Sequence, residues 1–356
     1  MESLDLTSTF AGALGFMQSS ARFMGAFLPG HEMQEAQNKL EAFRLFAYVD
    51  RELGFPGSRP NLSFMVRRAR TLPPWRMIFA LEGVAHYYAS GASSDNPLAG
   101  MLAGPELPES AMVAMHSGMG TAVAGSVLAR LGPNPSNAEL RRGIEAFFDT
   151  CRENSRPGWF VNAIEAMGLA VRTLNPPMLM RASAVIGEID AEAQRFYWHG
   201  VGRSLYFVPS NFITVANSHE RALRAAIDEA PTFEARCNTV AGLAWAVTLV
   251  NVQHPAVIEN LVRVSPFIRM PGVIANGIIS ALMAWKHMVP ETTDLAPYLR
   301  PGSPAARASG LWNDIVAMPA VEAFGRRFQE LTAPYSAGRP TIANLFEYQD
   351  WGVIRK

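Results

Sequence analysis

An acid, three imidazoles and a guanidinium stand beside glycines at three places in this chain. They are Glu82 and His86 in LEGVAHYY, His116 in MHSGMGTA, and His199 and Arg203 in HGVGRSLY. Carboxylates and imidazoles can take and give protons near neutral pH, and a guanidinium orients an oxygen or holds an anion. Tyr87 and Tyr88 follow the first patch, while Trp198, Tyr206 and Phe207 flank the third. If the patches line one cavity, Glu82, His86, His116, His199 and Arg203 are the candidate catalytic groups and the five aromatics are the candidate substrate-binding groups. Such a cavity would suit a largely apolar substrate. The plain alternative is helix packing: glycines remove bulk where two backbones approach, Ala85, Thr121, Ala122 and Ser204 continue the contact, and the histidines have ordinary hydrogen-bond partners.

Other chemistries fit these residues poorly. A dinucleotide loop needs GxGxxG between a strand and a helix, whereas GVGRSL lacks the third glycine and follows a helix-like stretch. A nucleophile elbow needs GxSxG, and neither Ser117 nor Ser204 has the flanking pair. The seven histidines form no HExxH or other compact ligand pair. Glu82 and His86 can share a helix face, but a bundle metal site repeats that pattern on other helices, and no such set is found. Asp149 and Glu153 are likewise i,i+4 without the second magnesium motif of a terpene cyclase. No metal site and no cofactor are expected, with magnesium left open.

Composition narrows the partners. Lys+Arg and Asp+Glu each total 31, so no basic excess points to a nucleic-acid backbone, and nucleic acid is not an expected partner. Arg67, Arg68, Arg70, Arg141 and Arg142 read as solvated faces, with docking to an acidic carrier protein as the functional alternative. Cys151 and Cys237 are the only cysteines and form no CxxC pair, which suits a reducing interior. MESLDLTSTF has no basic run leading into an apolar one, so secretion is not indicated. The apolar stretches around 111–131 and 240–252 read as buried helices rather than spans. A cytoplasmic chain is expected, associated with a membrane only through a partner; its oligomeric state is not readable.

The elements that must position these residues are helices. Apolar spacing of three and four predicts an all-α, multi-helical fold, and valine-rich alternation is scarce. Helices are expected over about 31–53, with Leu40, Phe43, Phe46, Ala47 and Leu53 inward, then 62–71, 75–89, 108–131, 137–154, 157–174, 177–199, 218–229, 232–252, 257–264, 274–287 and 318–331. Ser136 or Asn137 caps one of these, and Asn175-Pro176-Pro177 separates two. Methionines 112, 115, 119, 167, 178 and 180 read as core fillers. An internal echo sets Asp149 beside Asp228 and Gly168-Leu169-Ala170 beside Gly242-Leu243-Ala244. It predicts a duplicated helical module, 116–189 and 199–265, around a hydrophobic cavity. The division expected is an apolar segment over 1–30, a helical body over 31–289, and a loop, helix and tail packed on the body over 290–356.

EGVAHYY, HSGMGTAV and most clearly WHGVGRSLYF resemble the bacterial family DUF1702, which includes enediyne biosynthesis proteins of the UnbL type. The similarity runs from about Phe43 to Val264. On that resemblance the family positions are Glu82, Gly83, Gly118, Gly120, Gly200, Gly202, Arg203, Leu205 and Phe207. The middle patch departs from the family's pattern, with His116 ahead of the glycines and no acid. The resemblance implies a setting in natural-product pathways and no particular reaction. Two functions follow as expectations. One is a biosynthetic enzyme acting on a hydrophobic polyketide or isoprenoid, with proton-dependent cyclisation or isomerisation of a polyene-like chain. The other is a non-catalytic accessory that binds an intermediate or a partner synthase.

Overall fold

The computed structural model describes residues 30–55, 61–91, 98, 100–104, 106–212, 217–300, 302–303, 310–336 and 341–350. Every regular element among them is helical, so the all-α expectation holds. The apolar segment expected over 1–30 lies outside the described residues, apart from Gly30. The described residues fall into two compact units, 40–197 and 30–39 with 198–350.

Helix α1, Gly30–Ala47, opens the described chain, and its residues from Leu40 onward belong to the first unit. Then come α2 (Leu62–Ala69), α3 (Pro74–Ser90), α4 (Met112–Leu131), α5 (Asn137–Asn154), α6 (Phe160–Leu174) and α7 (Leu179–Ile189). Helix α4 is buried on every side from Met112 to Ala124 and packs against both α3 and α6. Its alanines, glycines and methionines leave it no polar face to turn to water. Helix α5 does the opposite: Leu140, Ile144, Phe147, Phe148 and Cys151 form one buried stripe, and its charges stay outside. It starts on a capping box in which the Ser136 hydroxyl accepts from the Glu139 N–H and the Glu139 carboxylate accepts from the Ser136 N–H. One helix of the first unit, spanning 109–131 with its leading turn, is long and apolar enough to cross a membrane. Its most apolar window is 89% buried inside the protein, as a core helix would be.

Helix α8, Ala193–Phe207, leads into the second unit, which continues through α9 (Ser218–Asp228), α10 (Phe233–Val250), α11 (Pro255–Val264) and α12 (Pro271–Met288). Helices α10 and α12 lie side by side and are buried nearly all round, while α9 and α11 bury one stripe each. The single helix expected over 177–199 is broken, because the Asp190 carboxylate accepts from the N–H groups of Glu192 and Ala193 at 2.9 and 3.1 Å and starts a new helix. WHGVGRSLYF therefore lies inside α8 rather than after a helix.

Residues 311–331 alternate between α and π turns. The first π turn, Asn313–Ala317, comes just before Pro319, which has no N–H to give to Ile315 and whose ring crowds that carbonyl. The chain then lays residues 342–346 along α12 and is held beyond them by two asparagines. Asn238 Oδ1 of α10 accepts from the Tyr348 N–H at 2.7 Å, and Asn276 Nδ2 of α12 donates to the Gln349 carbonyl at 2.8 Å.

Candidate functional site

The glycines of the three patches are helix joints. A Cβ on Gly83 would stand 2.5 Å from the Leu45 carbonyl oxygen, and one on Gly118 would strike the Glu82 carbonyl. A Cβ on Gly120 would be 2.5 Å from the Ala163 oxygen. In the second unit the arrangement is reciprocal: Gly202 of α8 faces the Thr239 carbonyl of α10, and Gly242 of α10 faces the His199 carbonyl of α8. Helix backbones meet here with no side chain between them, so the packing reading is correct and a phosphate loop or nucleophile turn is excluded.

The five candidate catalytic residues divide between the units, with Glu82, His86 and His116 in the first and His199 and Arg203 in the second. His116 is held by backbone at both ring nitrogens. Its Nδ1 donates to the Met112 carbonyl at 2.9 Å, and its Nε2 accepts from the Arg156 N–H at 3.2 Å. This fixes a neutral ring, stacked on Trp159 at 5.5 Å, and burial lowers its pKa to about 3. Both ring nitrogens of His116 are thus occupied in this structure. Glu82 accepts from the Ser117 hydroxyl at 2.6 Å, and buried His86 lies against Phe46 at 4.8 Å. Tyr87 and Tyr88 of the same helix are half-buried, with Tyr87 against Phe55 at 6.0 Å.

In the second unit His199 and Arg203 are buried one turn apart. The His199 ring meets Trp245 at 6.1 Å and Phe346 at 5.8 Å, and the Arg203 guanidinium lies 5.1 Å over Trp245. Expected neighbours Trp198 and Tyr206 are buried and Phe207 is half-buried. The rings that enclose His199 come instead from α10 and the 342–346 turn, which no local spacing announces.

Tyr206 belongs to a second buried group that sequence spacing missed. Leu40, Phe46 and Ala47 were expected inward on α1, yet they are only half-buried, and Glu35 and Lys39, each 1% exposed, lie deeper. Lys39 Nζ is 3.1 Å from Glu35, donates to the Asn211 carbonyl at 2.9 Å and sits 3.8 Å over the Tyr206 ring. His219 Nε2 contacts the same Glu35 oxygen at 3.0 Å. Asn251 donates to the Tyr206 hydroxyl at 2.7 Å and accepts from Asn38 at 3.0 Å. Burial alone would raise the Glu35 carboxyl, but His219 and Lys39 outweigh it and hold the group well below the carboxylate range. Burial also pulls the Lys39 ammonium down against the attraction of Glu35, and it pushes the Tyr206 phenol far up.

The described cleft of the second unit lies elsewhere. It measures about 300 Å³ and opens at the start of α12, between Phe233, Arg269, Val273, Asn276, Ile279, Pro319 and the tail at 348–350. Exposed apolar side chains occur at or next in sequence to its lining positions. Phe233 lines it at 73% exposure, and Phe267 and Met318, at 67% and 61%, lie within two residues of lining positions. The expected core filler Met180 is also exposed, at 48%, whereas methionines 112, 115, 119, 167 and 178 are buried as expected. Arg67, Arg68 and Arg70 are exposed, in keeping with a solvated face. No group of three His, Cys, Asp or Glu side chains among the described residues is placed to hold a metal ion. No protein-family model, curated protein or solved structure matches the chain.

Proposed function

We propose that this protein is a non-catalytic binding protein that takes up an apolar small molecule at the cleft of its second unit. The observation that carries this reading is the exposed Phe233 in the lining of a concave, largely apolar cleft, with exposed Phe267 and Met318 one or two residues away in sequence from lining positions. A volume of about 300 Å³ admits a compact molecule or one end of a longer chain and does not enclose a polyene. Among the groups first read as catalytic, Glu82 accepts from the Ser117 hydroxyl and His116 is bonded at both nitrogens. A place in specialised metabolism is supported by the likeness of the three glycine patches to DUF1702.

One observation favours a biosynthetic enzyme as the second reading. Glu35, Lys39, Tyr206 and His219 lie together in the core, and perturbed ionisable residues cluster at catalytic sites. Native mass spectrometry of the protein incubated with extract of the producing cells, with and without magnesium, separates the two. Retention of one equivalent of unchanged compound, lost in Phe233→Ser, is the expected result. Conversion of many equivalents, abolished in a folded Lys39→Met variant, would establish the enzyme instead.

A further inference from the structure

We propose that the cleft at the start of α12 selects a small apolar acid carrying a hydroxyl or amino donor next to its carboxylate. The assignment rests on the binding reading above and adds the chemical class of the ligand.

Two polar groups define that class. Arg269 occupies the left-handed region at φ 54°, a conformation that costs a side-chain-bearing residue energy and that glycine adopts freely. Its side chain is exposed at the cleft and makes no hydrogen bond or ion pair among the described residues. A guanidinium kept at a strained turn beside an apolar hollow is placed to meet an oxyanion, and it presents a planar fork of donors. Of the helix end only the Gly272 N–H can join it: Pro271 has no N–H, and the N–H groups of Val273 and Ile274 already turn back to the Met270 carbonyl.

Asn276 supplies the second requirement. It lines the cleft at 4% exposure, and its Nδ2 donates to the Gln349 carbonyl, which fixes the direction of the amide. Its Oδ1 is thereby set as an acceptor and has no partner among the described residues. That oxygen is closed to solvent in this structure; a buried acceptor without a donor is costly, and a ligand O–H or N–H that reaches it past the cleft wall removes that cost. Asp350 also lines the cleft, which favours a donor beside the carboxylate and disfavours a polyanion such as a phosphate ester. Val273, Ile279 and Pro319 leave an apolar surface for the hydrocarbon body.

Isothermal titration of the full chain with 3-phenyllactate, phenylalanine, 3-phenylpropionate and propylbenzene tests the class, because the four share one body and differ in polar groups. A donor-bearing acid should bind at least about tenfold more tightly than 3-phenylpropionate, and both more tightly than propylbenzene. Arg269→Gln, a change at an exposed position, should bring the acids to the level of propylbenzene and leave propylbenzene unchanged. Equal binding of all four would overturn the acid assignment while leaving an apolar binding protein. Equal binding of the three acids would remove the donor requirement and with it the role of Asn276. If none binds at about 1 mM, the cleft is no site and the binding reading falls too.

Discussion

Whether a glycine matters depends on what its missing side chain would touch. A Cβ at Gly202 would stand 2.8 Å from the Leu243 backbone nitrogen, whereas one at Gly325 meets nothing within 4 Å. Alanine is the better helix former at both positions. Gly202→Ala is therefore expected to destabilise by about 2–3 kcal/mol, because a backbone cannot move aside as a side-chain tip can. Gly325→Ala should stabilise by about 0.5–1 kcal/mol. Urea unfolding of the two variants checks the contrast, and equal effects would mean that propensity alone is at work. The Glu35–Lys39 pair follows a different rule, since removing one partner strands the other in the core. Glu35→Gln should cost about 3 kcal/mol at pH 7, and adding Lys39→Met should restore part of it. With the carboxylate gone, the Lys39 pKa falls further below its unfolded value of 10.5, so the unfolded state binds the extra proton as pH rises towards 10.5. The deficit of Glu35→Gln should accordingly shrink between pH 7 and pH 9.

At the scale of elements, the turn from α11 into α12 sets stability against binding. Arg269→Gly should relax the left-handed residue and raise the unfolding free energy by about 1 kcal/mol, while acids no longer bind. A thermal melt and a titration on the same sample test both halves, and an unchanged melt would show that the turn is not strained. The helices themselves were legible because alanine, leucine, glutamate and arginine repeat at three and four, and prolines punctuate them. The α5 boundaries, Asn137 and Asn154, match the expected ones because Ser136 and Glu139 form a local cap. The break at Asp190 was missed because one carboxylate accepting two N–H groups overrode a continuing apolar pattern. The sites were far less legible. Glu35 and Lys39 stand i,i+4, a spacing shared with solvated pairs, and what buries them comes from residues such as His219 and Asn211. Trp245 and Phe346 are likewise unrelated to His199 by any spacing, and Arg269 and Asn276 belong to no motif.

Across the whole molecule, His116 makes folding depend on pH. Its pKa is about 3 in the fold against an ordinary 6.5, so between those values the unfolded chain carries the proton and the native one does not. Stability from this group is complete above pH 6.5 and falls as pH drops, by about 1.4 kcal/mol per unit at most. Unfolding free energies measured from pH 7.5 to pH 4.5 should show that slope, and His116→Gln should flatten it. An unchanged slope in the variant would assign the effect to other groups.

The bond from Lys39 to the Asn211 carbonyl spans 172 residues and the contact of Glu35 with His219 spans 184. On a ribosome adding about 5–20 residues per second, the first ends of these pairs are made roughly ten to forty seconds before the second. For that interval residues 40–197 can collect their own core while the charges of Glu35 and Lys39 remain in water. The second unit closes only when late-made helices return to an early-made one.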